Sequence, residues 1–443
     1  MNNKSDLESN TIRDNPDSNN PREKAASSVN NIRFLSSLRI SNFRFLLTGT
    51  VITNAAQFIQ HVTLNWLVYN LTGSGAMLGY LNLTRAAASL GMVPIAGLLI
   101  DRLDRRKLML IDNCWLFTIT LTLGLLLIFG TSHLYYLFIF SFMGGLVQTI
   151  DNTLRQVVVF NLVPRRFTPN ALALIQTGWG LMRSIGPAIG GFLILWFGPG
   201  GNFLVQAGAY VLVMISIYKI QFGKSITGTN HNSPLQNIRE GVRYLVKSRA
   251  TQTFMGMGFV LPLFIVPVFN VLTPIYAKDV FHGGPDTLGL IMAFTGVGGV
   301  LGGLFTASLL NRVERRGVIQ LTALCILGSL LVGLAFMTTL WHALVLFVAV
   351  GFFEMIFLTT NQTLLQLSIP NHLRGRVTAV VNLGIALNPV GGLLAGVGSD
   401  LLGGPKPITF ILASVAAGIA VLVFIASPTV RNYRLSRGMA SNV

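Results

Sequence analysis

Ionisable side chains stand inside long apolar runs of this chain, and their types define the chemistry on offer. Asp151 and Arg155 lie four residues apart, a spacing that lets carboxylate and guanidinium pair and lowers the cost of burying both. Glu354 has no cationic residue within one turn of its own segment. It reads as an unpaired acid inside a span, a setting that suits a proton carrier. Arg85 and Arg183 are cations in apolar segments; each can contact an anionic substrate or pair with Asp151 or Glu354. Asn54, Gln57, His61 and Asn65 are spaced three, four and four apart, so they share one helix face. Four hydrogen-bonding side chains on one face inside lipid need partners or water, which a central cavity supplies. The imidazole of His61 is a group that exchanges protons near neutral pH. The proton-coupling candidates are therefore Glu354, Asp151 and His61. The substrate-cavity candidates are Asn54, Gln57, Asn65, Arg155, Arg183 and Arg85. A stripe of hydrogen bonds with no ligand, and a structural ion pair at Asp151–Arg155, compete with these readings.

The elements that must position these groups follow from the charge pattern. The chain has 443 residues, 52% hydrophobic and 11% charged, against about 25% charged in an average soluble domain. Asp, Glu, Lys and Arg are absent from 45–84, 113–150, 184–218, 250–277, 287–311, 317–353, 377–399 and 407–430. A spanning helix needs about 20 apolar residues, so the longest gaps are pairs of helices. Turn signals sit at their midpoints, as in Thr72-Gly73-Ser74-Gly75 and Phe197-Gly198-Pro199-Gly200. Twelve spans result, near 43–69, 76–100, 108–130, 134–160, 170–197, 201–220, 252–277, 286–310, 317–340, 342–366, 374–400 and 405–427. The fold class is an all-α integral membrane protein in two six-helix bundles, 43–220 and 252–427. A disordered tail (1–42), a linker (221–251) with an amphipathic stretch from Leu235 to Tyr244, and a second tail (428–443) complete the division.

Lys and Arg concentrate in alternate loops, which by the positive-inside rule places both termini in the cytoplasm. The net charge of +17 reflects that orientation and anionic inner-leaflet lipid rather than nucleic acid. The N-terminal tail has no apolar run and is not a signal peptide. Cys114 and Cys325 fall inside spans and are expected to be buried thiols, and Asp112 to pair near the inner surface. There is no Walker A loop, no zinc spacing and no Ser-His-Asp pattern, so no ATP, metal, cofactor or enzymatic activity is expected.

One turn is repeated. Gly97 to Lys107, with Asp101, Arg102, Arg105 and Arg106, lies between two spans; Arg312, Arg315 and Arg316 recur 210 residues later. Val163-Pro164 recurs as Ile369-Pro370, and Gly186-Pro187 with Gly190 and Gly191 recurs as Asn388-Pro389 with Gly391 and Gly392. Parallel halves with a site between them at mid-membrane fit a rocking transporter. A membrane-edge carboxylate among arginines can pair with them and with a helix terminus. Glycine spacing around Pro187 permits close helix approach and bending, so Gly186, Pro187 and Gly190 form a candidate hinge.

The turn at Asp101 resembles the loop 2–3 signature of the major facilitator superfamily, with Asp104 where glycine is usual. Asn42-Phe43-Arg44, Trp66 to Tyr69, Leu71 to Ser74, Asn152 to Gln156 and Leu162-Val163-Pro164 resemble its drug- and siderophore-export branch. The resemblance covers about 40–427. It implies that Asp101, Arg102, Arg105, Arg106 and Gly97 act as a gating latch on the cytoplasmic side. It further implies a secondary exporter of a small amphiphilic molecule in the inner membrane, working by alternating access on the proton gradient as a monomer. Import by symport and lipid flipping remain open as other uses of the same fold.

Overall fold

The structure, a computed structural model, describes residues 36–221, 243, 245, 249–308, 313, 315–369, 373, 377, 384 and 387–431. Every regular element among them is helical. A 3-10 turn, Ser36–Arg39, leads into α1 (Ser41–Thr72), α2 (Gly75–Arg102), α3 (Arg105–Ile128), α4 (Leu134–Leu162) and α5 (Thr168–Lys219). The second half holds α6 (Arg249–Val260), α7 (Pro285–Ser308), α8 (Arg316–Ala335), α9 (Leu340–Leu367), α10 (Leu387–Leu401) and α11 (Pro405–Ala426). Among the described residues, nine helices are long and apolar enough to cross a membrane. Each expected span falls wholly or partly on a described helix. The start of the eleventh lies largely outside the described residues, as do Arg312 and, apart from Arg243, the stretch Leu235 to Tyr244.

Local chemistry sets the boundaries. Gly73 ends α1 in a left-handed conformation (φ 63°), which glycine adopts without penalty. The Ser74 hydroxyl then caps α2 by accepting from Met77 N–H at 3.4 Å. Asp104 caps α3 by accepting from Lys107 N–H at 2.9 Å, which accounts for an acid where the resembled signature has glycine. The expected fifth and sixth spans run on as one element whose two arms meet at Gly198, with φ 68° and ψ 174°, followed by Pro199. Beyond Val260, α6 continues through π-helical turns at Leu261–Ile265, Val268–Leu272 and Tyr276–Val280. Such turns leave the regular backbone pairing locally changed.

In the first half α1 packs along α5, α2 against α4, and α3 between α4 and α5; in the second, α7 packs against α9 and α8 against α11. Among the described residues, the halves meet chiefly through α2 with α10 and α5 with α7. Glycine makes both approaches possible. A Cβ on Gly191 would sit 2.7 Å from the Pro285 carbonyl oxygen, and one on Gly79 2.7 Å from Leu393 Cα. The outer surface is apolar: Trp341 and Trp196 are each 70% exposed and Leu401 79%, as expected where lipid is the solvent. Cys114 faces that surface and Cys325 is half-buried, so the expectation of two buried thiols is corrected.

Candidate functional site

The polar stripe on α1 meets α2 and α4 in a connected network. Arg85 of α2 donates from Nε (3.0 Å) and Nη2 (2.5 Å) to Gln148 Oε1 of α4. Gln148 Nε2 in turn donates to Gln57 Oε1 of α1 at 3.0 Å. Gln57 Nε2 is buried and has no partner. One turn on, the Asn65 amide donates to His61 Nδ1 at 3.1 Å and to the backbone carbonyl of Asn270 in α6 at 2.9 Å. Asn54 is buried at the other end of the stripe. The contact that places Arg85 is close: Gly145 lies against the Arg85 carbonyl, leaving no room for a side chain. Ser89 Oγ also donates to the Gly145 carbonyl at 3.0 Å.

Arg183 on the first arm of α5 pairs with Glu354 of α9. The expectation of an unpaired acid is thereby corrected: the counter-charge comes from the other half of the chain, where no local spacing could announce it. Arg183 also lies 5.9 Å from the ring of Trp179, a residue that packs edge-on against Phe58. The Asp151–Arg155 pair forms within α4 as its spacing allows, with Arg155 Nε 2.8 Å from both carboxylate oxygens. Arg155 also donates to Thr53 Oγ1 at 2.9 Å and Thr50 Oγ1 at 3.4 Å, and both partners are buried. Asp112, expected to pair near the membrane surface, lies buried beside Asp151 and Arg155 instead.

A cluster that the sequence reading missed holds the halves together at the end away from the basic turn. Asp400, near the C-terminus of α10, accepts from Ser74 Oγ (2.6 Å), Gly75 N–H (2.7 Å) and Ala76 N–H (3.0 Å) at the start of α2. The Tyr69 hydroxyl donates to the Asp279 carboxylate, and Lys278 Nζ donates to Asn70 Oδ1 at 3.0 Å. Gly75 and Gly396 touch backbone to backbone beside them. The only signal for these acids was that they interrupt otherwise uncharged ends of spans.

At the basic end, Arg106 donates to the Tyr218 carbonyl at 2.6 Å and stacks over its ring at 5.1 Å, a contact within one half. Arg102 is exposed and Arg105 half-buried. The side chain of Asp101 lies outside the described residues. Gly97 has open space around it. Gly186 and Gly190 press against Phe58 and Ile59 of α1, and Pro187 is buried within a helical stretch; the backbone break falls at Gly198.

Residues 32–437 match the family model described as transmembrane secretion effector. The Staphyloferrin A transporter of Staphylococcus aureus is 23% identical over 86% of this chain and 95% of that protein. The multidrug efflux pump Tap of Mycolicibacterium fortuitum is 27% identical over 88% and 97%. Among solved structures, a D-xylose–proton symporter superposes with TM-score 0.70 at 14% identity, covering 88% of this chain and 98% of its own. An inward-facing, unoccupied bacterial homolog of the human lysosomal transporter Spinster gives 0.67 at 15%, covering 90% and 98%.

Proposed function

The chain belongs to the transmembrane secretion effector family of the major facilitator superfamily, a family of multi-pass membrane transporters rather than enzymes, and from that premise we propose that it exports a small amphiphilic molecule by proton antiport. The observation that carries the reading is the Arg183–Glu354 pair, which joins the two halves within their apolar spans. A proton arriving at Glu354 removes its charge, releases Arg183 and loosens one half from the other. A carboxylate that exchanges its counter-cation for a proton only when the halves rock is the elementary device of a coupled exchanger. Export as the direction and a drug-like cargo are supported by the Mycolicibacterium fortuitum multidrug efflux pump, and a siderophore cargo by the Staphylococcus aureus Staphyloferrin A transporter.

Orientation follows from the basic turn. With Arg102, Arg105 and Arg106 at the cytoplasmic side, the Asp400 and Asp279 clusters hold the halves together at the outer end, an arrangement that suits loading from the cytoplasm. Both termini are then cytoplasmic, the membrane is the inner membrane, and one chain forms the whole pathway as a monomer.

The test is substrate-driven proton movement in proteoliposomes that enclose a pH-sensitive dye. Amphiphilic drugs and siderophores are added one at a time. Protons moving against the substrate support antiport. Protons moving with it turn the reading to symport, and substrate movement without protons leaves the acids with structural roles.

A further inference from the structure

The three intramembrane arginines differ in how their charge is met. Arg155 has Asp151 and Arg183 has Glu354. Among the described residues no carboxylate pairs with Arg85, whose two hydrogen bonds both end on the neutral oxygen of Gln148. A guanidinium carries five N–H donors, so three remain uncommitted here. Moving an uncompensated cation into an apolar span is costly, and cations kept there mark a ligand or a pathway. Next to Arg85, and held to it through Gln148, Gln57 keeps a buried amide Nε2 with no partner. A buried donor left unmade is itself costly. The unmet charge and the unmet donor thus stand in one network. Both ask for the same thing, an anionic oxygen.

We propose that Arg85 anchors a carboxylate group of the transported molecule, with the Gln57 amide as the second donor. The reading rests on the transporter assignment and adds the substrate class: an amphiphile carrying at least one carboxylate. A planar fork of donors matches a planar carboxylate in two-point contact. One cation flanked by one amide balances one negative charge, which disfavours a phosphate dianion at this site. Gly145, against the Arg85 backbone, and Gln148, fixing the guanidinium plane, are the residues that position the anchor.

Rhodamine B and rhodamine B ethyl ester share one amphiphilic xanthylium cation and differ only in a free against an esterified carboxylate, so the pair isolates the carboxylate. Binding of each to the purified full chain is measured by fluorescence anisotropy for wild type, Arg85→Gln and Arg85→Lys. The expected result is that Arg85→Gln weakens the acid by about tenfold or more, as for loss of one partner of a buried charge pair, and leaves the ester unchanged. Arg85→Lys, which keeps the charge and loses the fork, falls between. Equal weakening of both dyes, an acid that binds wild type and Arg85→Gln alike, or no acid binding to wild type overturns the anchor. Ester efflux by wild-type proteoliposomes under a pH gradient reads the export assignment separately. It survives if only the anchor fails. Carboxylate binding at Arg85 without efflux of either dye removes the export assignment and leaves the site.

Discussion

Two intramembrane ion pairs of the same chemistry, one buried and one with its arginine half-exposed, are set for different duties by where their partners come from. Asp151 and Arg155 share one helix and add two threonine hydroxyls, so every charge is met inside a single half and nothing about rocking need disturb it. Glu354 and Arg183 come from different halves, so relative motion of the halves makes or breaks them. Glu354→Gln is therefore expected to abolish proton flux while downhill substrate movement continues; a wild-type dependence of transport on pH in that variant returns the proton-carrying role to Asp151. Asp151→Asn is expected to act on stability first, removing about 3 to 5 kcal/mol by leaving Arg155 buried without its counter-charge. Thermal unfolding in detergent measures it, and an unchanged midpoint shows that the pair is not structural. The helical pair was legible in the sequence because four-residue spacing is a geometric statement. The cross-half pair was legible only as one of several partners open to Arg183: 171 residues separate its members, and the assembled bundle selects Glu354 over Asp151 or a ligand.

Helix ends carry the closure at the end away from the basic turns. Asp400 lies at the C-terminal end of α10, where the helix dipole disfavours a carboxylate. Its compensation is the N-terminus of α2, whose first N–H groups have no partner in their own helix. Each half thus satisfies an end effect of the other. Asp400→Ala is expected to cost the closed end about 1.5 kcal/mol, the lower range for a hydrogen bond to a charged group, and to shift its population about tenfold. Spin labels at Leu71 and Leu402, both exposed at that end, report the shift as a longer distance; an unaltered distance distribution removes the closing role. Gly191→Val tests the neighbouring contact, where a Cβ meets the Gly289 and Pro285 backbone. It is expected to wedge α5 from α7 and lower transport without loss of membrane insertion. The spans themselves were readable from charge gaps and turn residues. The Asp400 contact was not, because 325 residues separate Asp400 from the helix start that it caps.

On the scale of the molecule, α2 and α10 run as a pair with a carboxylate near opposite ends: Asp400 at the end of α10, and Asp101 at the end of α2. Asp400 engages the start of α2 in the state described. Asp101, at the C-terminal end of α2, is expected to act as the counterpart that holds the basic end when that end closes instead. The two contacts cannot both be made by rigid halves that rock about their middle, since closing one end opens the other. Their energies are then subtracted rather than summed in setting the balance between states. Asp101→Ala is expected to favour the inward-facing state and Asp400→Ala the outward-facing one, each slowing transport by stabilising one end of the cycle. The double variant is expected to recover much of the lost balance, because opposite contributions from two distant sites add to nearly nothing. Labels at Leu103 and Val313, exposed on the two basic turns, read the inner end, and Leu71 with Leu402 read the outer. Opposite shifts in the single variants and a near wild-type distribution in the double support the paired device. Shifts of the same sign in both single variants refute it, because two latches on one side of a rocker cannot act in opposition.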